Sequence, residues 1–280
     1  MTGSSRKIEI SRVDIAKGIV VPDVVAVEEP LEIQVASSTA GGAAAKSVSI
    51  TMRTPGNDPE LALGFLFTEG IIRSMDQVVS VSHRGEPAPD SGAQNIVRVE
   101  IAPDVDLNLD RLERHFYTTS SCGVCGKASL DALRLTGLES LEEHDFAVSP
   151  ETLLALPAAV RERQPIFAET GGLHAAALFG PDGEIGLVRE DVGRHNATDK
   201  VIGALLEQGE LPAHSMGLFV SGRASFELMQ KSLVAGIPFL AAVGAPSSLA
   251  VDSAKEFGMT LVGFLRDDNF NIYAGAERIN

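Results

Sequence analysis

Between Met216 and Leu265 the chain reads strand, helix, strand, helix, strand, joined by short links, and few folds accept that order. Consecutive strands separated by a helix pair side by side in parallel, through right-handed crossovers. The spacing predicts strands over Met216–Val220, Ile237–Val243 and Met259–Leu265, and helices over Ala224–Ala235 and Leu249–Phe257. In the first helix Phe226, Met229 and Leu233 recur at i, i+3 and i+7, as one buried face requires. Ligands of open parallel sheets bind beyond the carboxyl ends of the strands. Three loops leave those ends here: Ser221-Gly222-Arg223, Gly244-Ala245-Pro246-Ser247-Ser248, and Arg266-Asp267-Asp268-Asn269. Parallel neighbours would place all three on one rim, although a solvated turn is the plainer reading of the last.

The rest of the chain is more mixed. β-rich runs over Val24–Val35 and Ser47–Arg53 flank a Ser-, Gly- and Ala-rich stretch, residues 37–45. Asn57-Asp58-Pro59-Glu60 reads as a helix start. Asp58 would cap it, Pro59 suits the first position, and Leu61, Ala62, Phe65 and Leu66 form the buried stripe. Gly70 marks a stop, His83–Gln94 a polar loop, and Asn95–Ile101 a strand. Beyond Phe116 we expect a helix over Ala128–Leu135, a hairpin of Gly171–Phe179 with Glu184–Val188 about the turn Gly180-Pro181-Asp182-Gly183, and a helix over Thr198–Leu206. The fold expected is an α+β part over residues 1–115 followed by an α/β part over residues 116–280.

With 280 residues, 44% of them hydrophobic, the chain can bury a sizeable core. It lacks the run of about 18 apolar residues that a membrane helix needs. Arg6 and Lys7 near the N-terminus are not followed by the apolar stretch of a signal peptide. A cytoplasmic, non-membrane protein is expected. A formal charge of −15 disfavours nucleic acid as a general partner, because displacing counterions from phosphates needs a surplus of Lys and Arg.

There are two cysteines, and they stand three apart in Thr118-Thr119-Ser120-Ser121-Cys122-Gly123-Val124-Cys125-Gly126-Lys127. So placed they form no disulfide framework, and in a reducing compartment such a pair is more often catalytic, redox-active or metal-binding. A free thiol, with its pKa of about 8.5, must ionise to act. A Gly-rich loop before a helix, with Lys127 adjacent, favours the thiolate. Three chemistries suit the pair: disulfide exchange, persulfide carriage, or half of a metal site. The metal reading is weakest, since structural zinc takes four ligands and a second cysteine pair is lacking. A zinc deaminase would show His-x-Glu and Pro-Cys-x-x-Cys, whereas Ser121 stands at the Pro position. The plain alternative is an unreactive pair in a loop.

The run Phe116–Lys127 resembles the FdhD family, accessory sulfurtransferases required for active formate dehydrogenase. So do Asn57–Ala62 with Gly64-Phe65-Leu66, Thr170-Gly171-Gly172-Leu173-His174, Glu190–Asn196, Ser221-Gly222-Arg223, and Gly263-Phe264 with Asn271-Ile272-Tyr273. The resemblance spans nearly the whole chain. It implies a protein that takes sulfur from a cysteine desulfurase of the IscS type as a persulfide. The sulfur then goes to molybdenum bis(molybdopterin guanine dinucleotide), bound as substrate before it enters formate dehydrogenase. Cys122 would carry the persulfide, with Cys125 as helper or alternate acceptor. The cofactor-binding stretch falls on Phe264, Leu265, Arg266, Asp267, Asp268 and Asn269, where backbone contacts are expected to matter more than side chains. The resemblance further implies a homodimer, and a C-terminal part like cytidine deaminase without zinc, so that no side chain binds a metal.

The rim argument meets this expectation. Arg223 and the helix after it suit a phosphate. Asp267 or Asp268 suits the donor edge of guanine, and Phe264 suits stacking on a base. In Glu190–Asn196, His195 is a candidate for proton transfer, while Asp191, Arg194 and Asn196 also read as a capping network. His174 reads as a hydrogen-bonded core residue. Two other functions stay open: a thiol–disulfide oxidoreductase, and a non-catalytic chaperone for the molybdenum cofactor.

Overall fold

The computed structural model describes residues 3–13, 18–37, 45–89, 91–103, 105, 133 and 137–280. Near the N-terminus β1 (Ser5–Val13) and β2 (Gly18–Ala26) pair as an antiparallel ribbon. β3 (Glu29–Ser37), β4 (Lys46–Arg53), β5 (Val78–Pro87) and β6 (Gln94–Ile101) form a four-stranded sheet in the order β4-β3-β6-β5. Between β4 and β5 runs helix α1 (Asp58–Thr68), whose Leu61, Leu63 and Leu66 join Leu31, Ile33, Val97 and Val99 of the sheet in one core.

The C-terminal half opens with α2 (Pro150–Arg161) and α3 (Pro165–Thr170), then β7 (His174–Phe179), β8 (Ile185–Asp191) and α4 (Arg194–Gln208). The alternation anticipated from sequence follows: β9 (Gly217–Val220), α5 (Phe226–Val234), β10 (Phe239–Ala242), α6 (Ser248–Glu256), β11 (Thr260–Gly263), and a closing strand β12 (Asn271–Ala274). The sheet order is β12-β11-β10-β9-β7-β8, with β9, β10 and β11 parallel and the outer pairs antiparallel. Every residue of the three parallel strands is buried. Leu218, Val220, Leu240 and Leu261 point into a core under α4, α5 and α6, while Phe219, Phe239, Ala241 and Val262 face a second core under α2. Cover on both faces is what keeps such strands apolar throughout rather than alternating.

Several expectations need correction. Val24–Val35 is not one strand: β2 ends at Ala26 and β3 begins at Glu29, and the ribbon β1–β2 was not foreseen. The polar stretch from His83 begins inside β5, an edge strand whose mostly exposed positions leave little apolar alternation to read. Asp58 does not cap α1; Asn57 takes that place in a left-handed conformation (φ 57°) without a side-chain hydrogen bond. The Asp58 carboxylate instead accepts two hydrogen bonds from the fully buried Arg53, at 3.0 and 2.9 Å. A bidentate, charge-assisted pair is worth more than a cap. α4 starts at Arg194, four residues earlier than its apolar stripe implied, because its first turn is polar. Gly70 does follow α1, in the left-handed region.

Helices α1 and α4 join the two halves at backbone contact. A Cβ on Gly64 would stand 1.9 Å from the carbonyl oxygen of Asp199, and one on Gly203 1.9 Å from that of Glu60. Several charged groups sealed in this joint are matched. Lys231 of α5 donates to Asp199 at 2.7 Å and to Thr68 at 2.9 Å. Lys200 pairs with Asp191 at 2.7 Å and donates to the carbonyl of Thr54 at 3.0 Å, while the Thr54 amide donates to Asp191. The expected division near residue 115 falls outside the described residues. A last tie comes from Arg278, which is almost wholly buried. Its guanidinium donates to the carbonyls of Gly258 (2.9 Å), Glu142 (3.2 Å), His144 (3.3 Å) and Leu141.

Candidate functional site

The cysteine pair, Cys122 and Cys125, lies outside the described residues, as do the hydroxyl run before it and Lys127. The rim is described in full. Parallel register sets Leu218, Leu240 and Leu261 abreast, so the loops after β9, β10 and β11 emerge at the same end. Backbone hydrogen bonds then zip them together: Gly244 N–H to Gly222 O at 2.8 Å, Phe264 N–H to Gly244 O at 3.1 Å, Ser247 N–H to Ala224 O at 3.0 Å. Gly244 must lack a side chain here, since its Cβ would lie 2.8 Å from the Gly222 carbonyl oxygen. The shared rim expected from the strand order is present.

The nine rim residues named from sequence are brought together but offer different things. Leu265 is fully buried in the core under α2, so only its backbone faces outward contacts. It anchors Phe264, which sits at φ 53°, a left-handed conformation costly for a bulky residue, and the residue is 40% exposed. Arg266 is exposed yet tied down, one guanidinium nitrogen donating to the carbonyls of Val243 (2.6 Å) and Leu265 (2.9 Å). Its amide donates to Asn269 O at 2.9 Å, closing a turn that presents Asp267 and Asp268 to solvent. Asn269 donates to Asp268 at 2.6 Å. Ser221 is committed to β7: its hydroxyl oxygen accepts from Ala175 N–H at 2.8 Å and its amide donates back at 2.9 Å. Arg223 is exposed.

Beside Gly222 the charged loop Glu190–Asn196 contributes a second group of side chains. Asp191 is structural, fully buried between Lys200, the Gly193 amide (2.8 Å) and Asn196 (2.9 Å). Arg194 takes no part in that capping network. Its side chain lies instead against Gly222, where an added Cβ would be 3.3 Å from Arg194 Cδ and 3.4 Å from His174 Nδ1. His174 is therefore a rim residue, only half-buried, and not the core residue read from its apolar neighbours. Burial, and next the Arg194 charge, push its pKa below the ordinary value; Asp191 opposes this and His195 adds to it. His195 reaches across to α5, with Nε2 3.1 Å from Ser225 Oγ and 3.5 Å from Glu227 Oε2. That hydrogen bond is the main reason Glu227 is held down to about 2, against the opposing effect of burial. One sign of this group is legible in the sequence, the adjacent Arg194 and His195; the approach of His174 depends on the β7–β9 pairing, which no motif announces. A cleft of about 310 Å³ opens elsewhere, over Asn57, Asp58, His83 and Gln94, away from every rim residue.

Among the described residues, no cluster of three or more His, Cys, Asp or Glu could hold a metal ion, and no helix is long and apolar enough to cross a membrane.

Comparison with known proteins places these features in a family. Residues 26–280 match the FdhD/NarQ family. The sulfur carrier protein FdhD of Mycolicibacterium paratuberculosis is 51% identical over 280 residues, the full length of both chains. That of Streptomyces avermitilis is 52% identical over 260 residues, 92% of this chain and 89% of the relative. A crystal structure described as a formate dehydrogenase accessory protein from Desulfotalea psychrophila shares the fold, with a TM-score of 0.72 at 22% identity over 99% of this chain and 100% of the other. The chain belongs to the FdhD/NarQ family.

Proposed function

We propose that this protein is a sulfur carrier serving formate dehydrogenase. Full-length identity of 51% to a sulfur carrier protein FdhD is the observation that carries the reading. In the chemistry we propose, the Cys122 thiolate attacks the terminal sulfur of a cysteine desulfurase persulfide. One S–S bond forms at Cys122, the donor's S–S bond breaks, and the donor leaves as a thiolate. The sulfane sulfur keeps its oxidation state, so this step needs neither oxidant nor reductant. Cys125 serves as helper or alternate acceptor.

The acceptor in this reading is molybdenum bis(molybdopterin guanine dinucleotide), seated on the rim as substrate. An exposed Phe264 ring supports a place for the base, the outward Asp267 and Asp268 support contacts to its donor edge, and Arg223 supports one to phosphate. Leu265 and the committed Ser221 would act through backbone. Cytoplasmic location, a homodimer and a cytidine-deaminase-like C-terminal half belong to the same proposal.

The test is mass spectrometry after incubation with an active desulfurase and cysteine. One sulfur should be gained on the peptide bearing Cys122, and Cys122→Ala should remove it; no gain on the wild-type chain would overturn the carrier step. If formate dehydrogenase still matures in cells carrying Cys122→Ala with Cys125→Ala, the protein is a chaperone for the cofactor and not a covalent carrier.

A further inference from the structure

We propose that the cleft over the start of α1 is a receptor for an organic cation, an ammonium or guanidinium group borne by a free amine or by a basic side chain of a docking protein. The site lies apart from the rim and uses none of its residues.

Three segments line this one cavity of about 310 Å³: the turn Pro55–Pro59, His83 of β5, and Gly92, Ala93 and Gln94 at the start of β6. Its volume is at the small end for ligand sites, about 300–1,000 Å³, and suits a group the size of a side chain.

Hydrogen-bonding capacity is the first argument for a cation. Pro55 and Pro59 have no N–H to give. The Gly92 amide is spent on Ala88 O at 2.8 Å, the Ala93 amide on Ser91 Oγ at 3.1 Å, and the Gln94 side-chain nitrogen on Gly85 O at 2.7 Å. What remains to meet a ligand is the side-chain oxygen of Gln94 and the buried carboxylate of Asp58. A carboxylate has about four acceptor sites, and Arg53 and His83 fill three of those on Asp58 at most. The lining is rich in acceptors, and it calls for a ligand that donates.

Charge is the second argument. Arg53, fully buried, faces two carboxylates, Asp58 at 2.9 Å and Glu29 at 3.7 Å. One cation against two anions leaves negative charge in excess, and Glu29 Oε2 is buried with no hydrogen-bond partner among the described residues. Among those residues no Lys or Arg lines the cleft. The dipole of α1 works the other way, but Asp58 and Glu60 stand in its first turn and offset it. A phosphate or carboxylate entering here would meet the Asp58 carboxylate.

The cleft is also firmly placed. Thr54, next to Pro55 in the chain, donates its amide to Asp191 at 3.2 Å and takes Lys200 on its carbonyl at 3.0 Å. A protein whose basic side chain sits in the cleft is thereby held at a fixed place relative to the loop Glu190–Asn196.

NMR titration of the full chain, read at the amides of Asn57, Gly92 and residue 94, tests the receptor. Methylguanidinium and ethylammonium chloride should shift these amides saturably, whereas sodium chloride at equal ionic strength and inorganic phosphate should not. Gln94→Met removes one acceptor and should weaken both cations by roughly tenfold, the loss expected of one hydrogen bond to a charged group. Asp58→Asn should weaken them further; because Arg53 depends on Asp58, that variant can fail to fold, and Gln94→Met then decides alone. An end-blocked Gly-Arg-Gly peptide separates the two sources. Tighter binding than methylguanidinium assigns the cleft to a docking protein, and equal or weaker binding assigns it to a free amine. No saturable shift with either cation, an affinity unchanged in Gln94→Met, or binding of phosphate in their place overturns the proposal.

Discussion

Phe264 holds a backbone conformation that costs a residue with a Cβ roughly 1–2 kcal/mol, and the protein accepts this in order to aim an aromatic ring outward. Its amide is held by Gly244 O, and the neighbouring Leu265 is locked in the core, so the ring cannot retreat without pulling a buried leucine out. His195 and Glu227 act on the same residue scale. Glu227 sits at about 2 rather than 4.5, chiefly through the His195 hydrogen bond. Its folded value lies below the unfolded one, so the contact contributes in full above pH 4.5 and is lost as pH falls toward 2. The contribution is small because the Glu227 side chain is 62% exposed. Carboxyl NMR should find the Glu227 midpoint near 2 in the wild type and clearly higher in His195→Gln; an unmoved midpoint would refute the coupling. Residues of this kind were only half legible in the sequence. Phe264 and Arg223 could be named because they follow strands, but the partners of His174 and Arg194 come from strand pairing and a helix start that apolar spacing does not encode.

Among the elements, the crossing of α1 and α4 is the tightest contact between the halves. Gly64→Ala on an open helix face would gain about 1 kcal/mol from helix propensity. Here the added methyl meets a carbonyl oxygen at 1.9 Å, and both neighbours are backbone, so the helices must part. Overpacking costs about 1–3 kcal/mol even where side chains can shift. Gly64→Ala should therefore destabilise the protein by about 2 kcal/mol or more, read as a lower urea midpoint; a raised midpoint would show the helices to be less close. The parallel strands were legible because each is a short apolar run bounded by turns, with an amphipathic helix on either side. β5 was not, since an edge strand open to solvent loses its alternation, and the polar first turn of α4 hid that helix's true start. Asp58 was misjudged as a cap because Arg53, five residues back, claims its carboxylate.

At the level of the whole molecule the two sheets are joined by matched charges as well as by apolar contact. Asp191 is fully buried and Lys200 nearly so, and between them they bind the β4–α1 corner to β8 and α4. Deleting one partner strands the other, which costs about 3–5 kcal/mol, whereas replacing both with apolar residues of similar volume is often neutral. Asp191→Ala should thus lower stability by about 3–5 kcal/mol, and Asp191→Leu with Lys200→Met should recover only part of it, because the Thr54 and Gly193 amides and Asn196 still lose their acceptor; calorimetric melting distinguishes the two. Such a joint is invisible to sequence, because Thr54 and Asp191 stand 137 residues apart. The Arg278 clamp carries a consequence for the order of biosynthesis. The carbonyls it seizes belong to Leu141, Glu142 and His144, on the stretch that follows the two thiols, yet the arginine itself leaves the ribosome only after every strand of both sheets has been made. The stretch Leu141–His144 therefore takes its final shape late, after the chain that forms the rim loops has already been made.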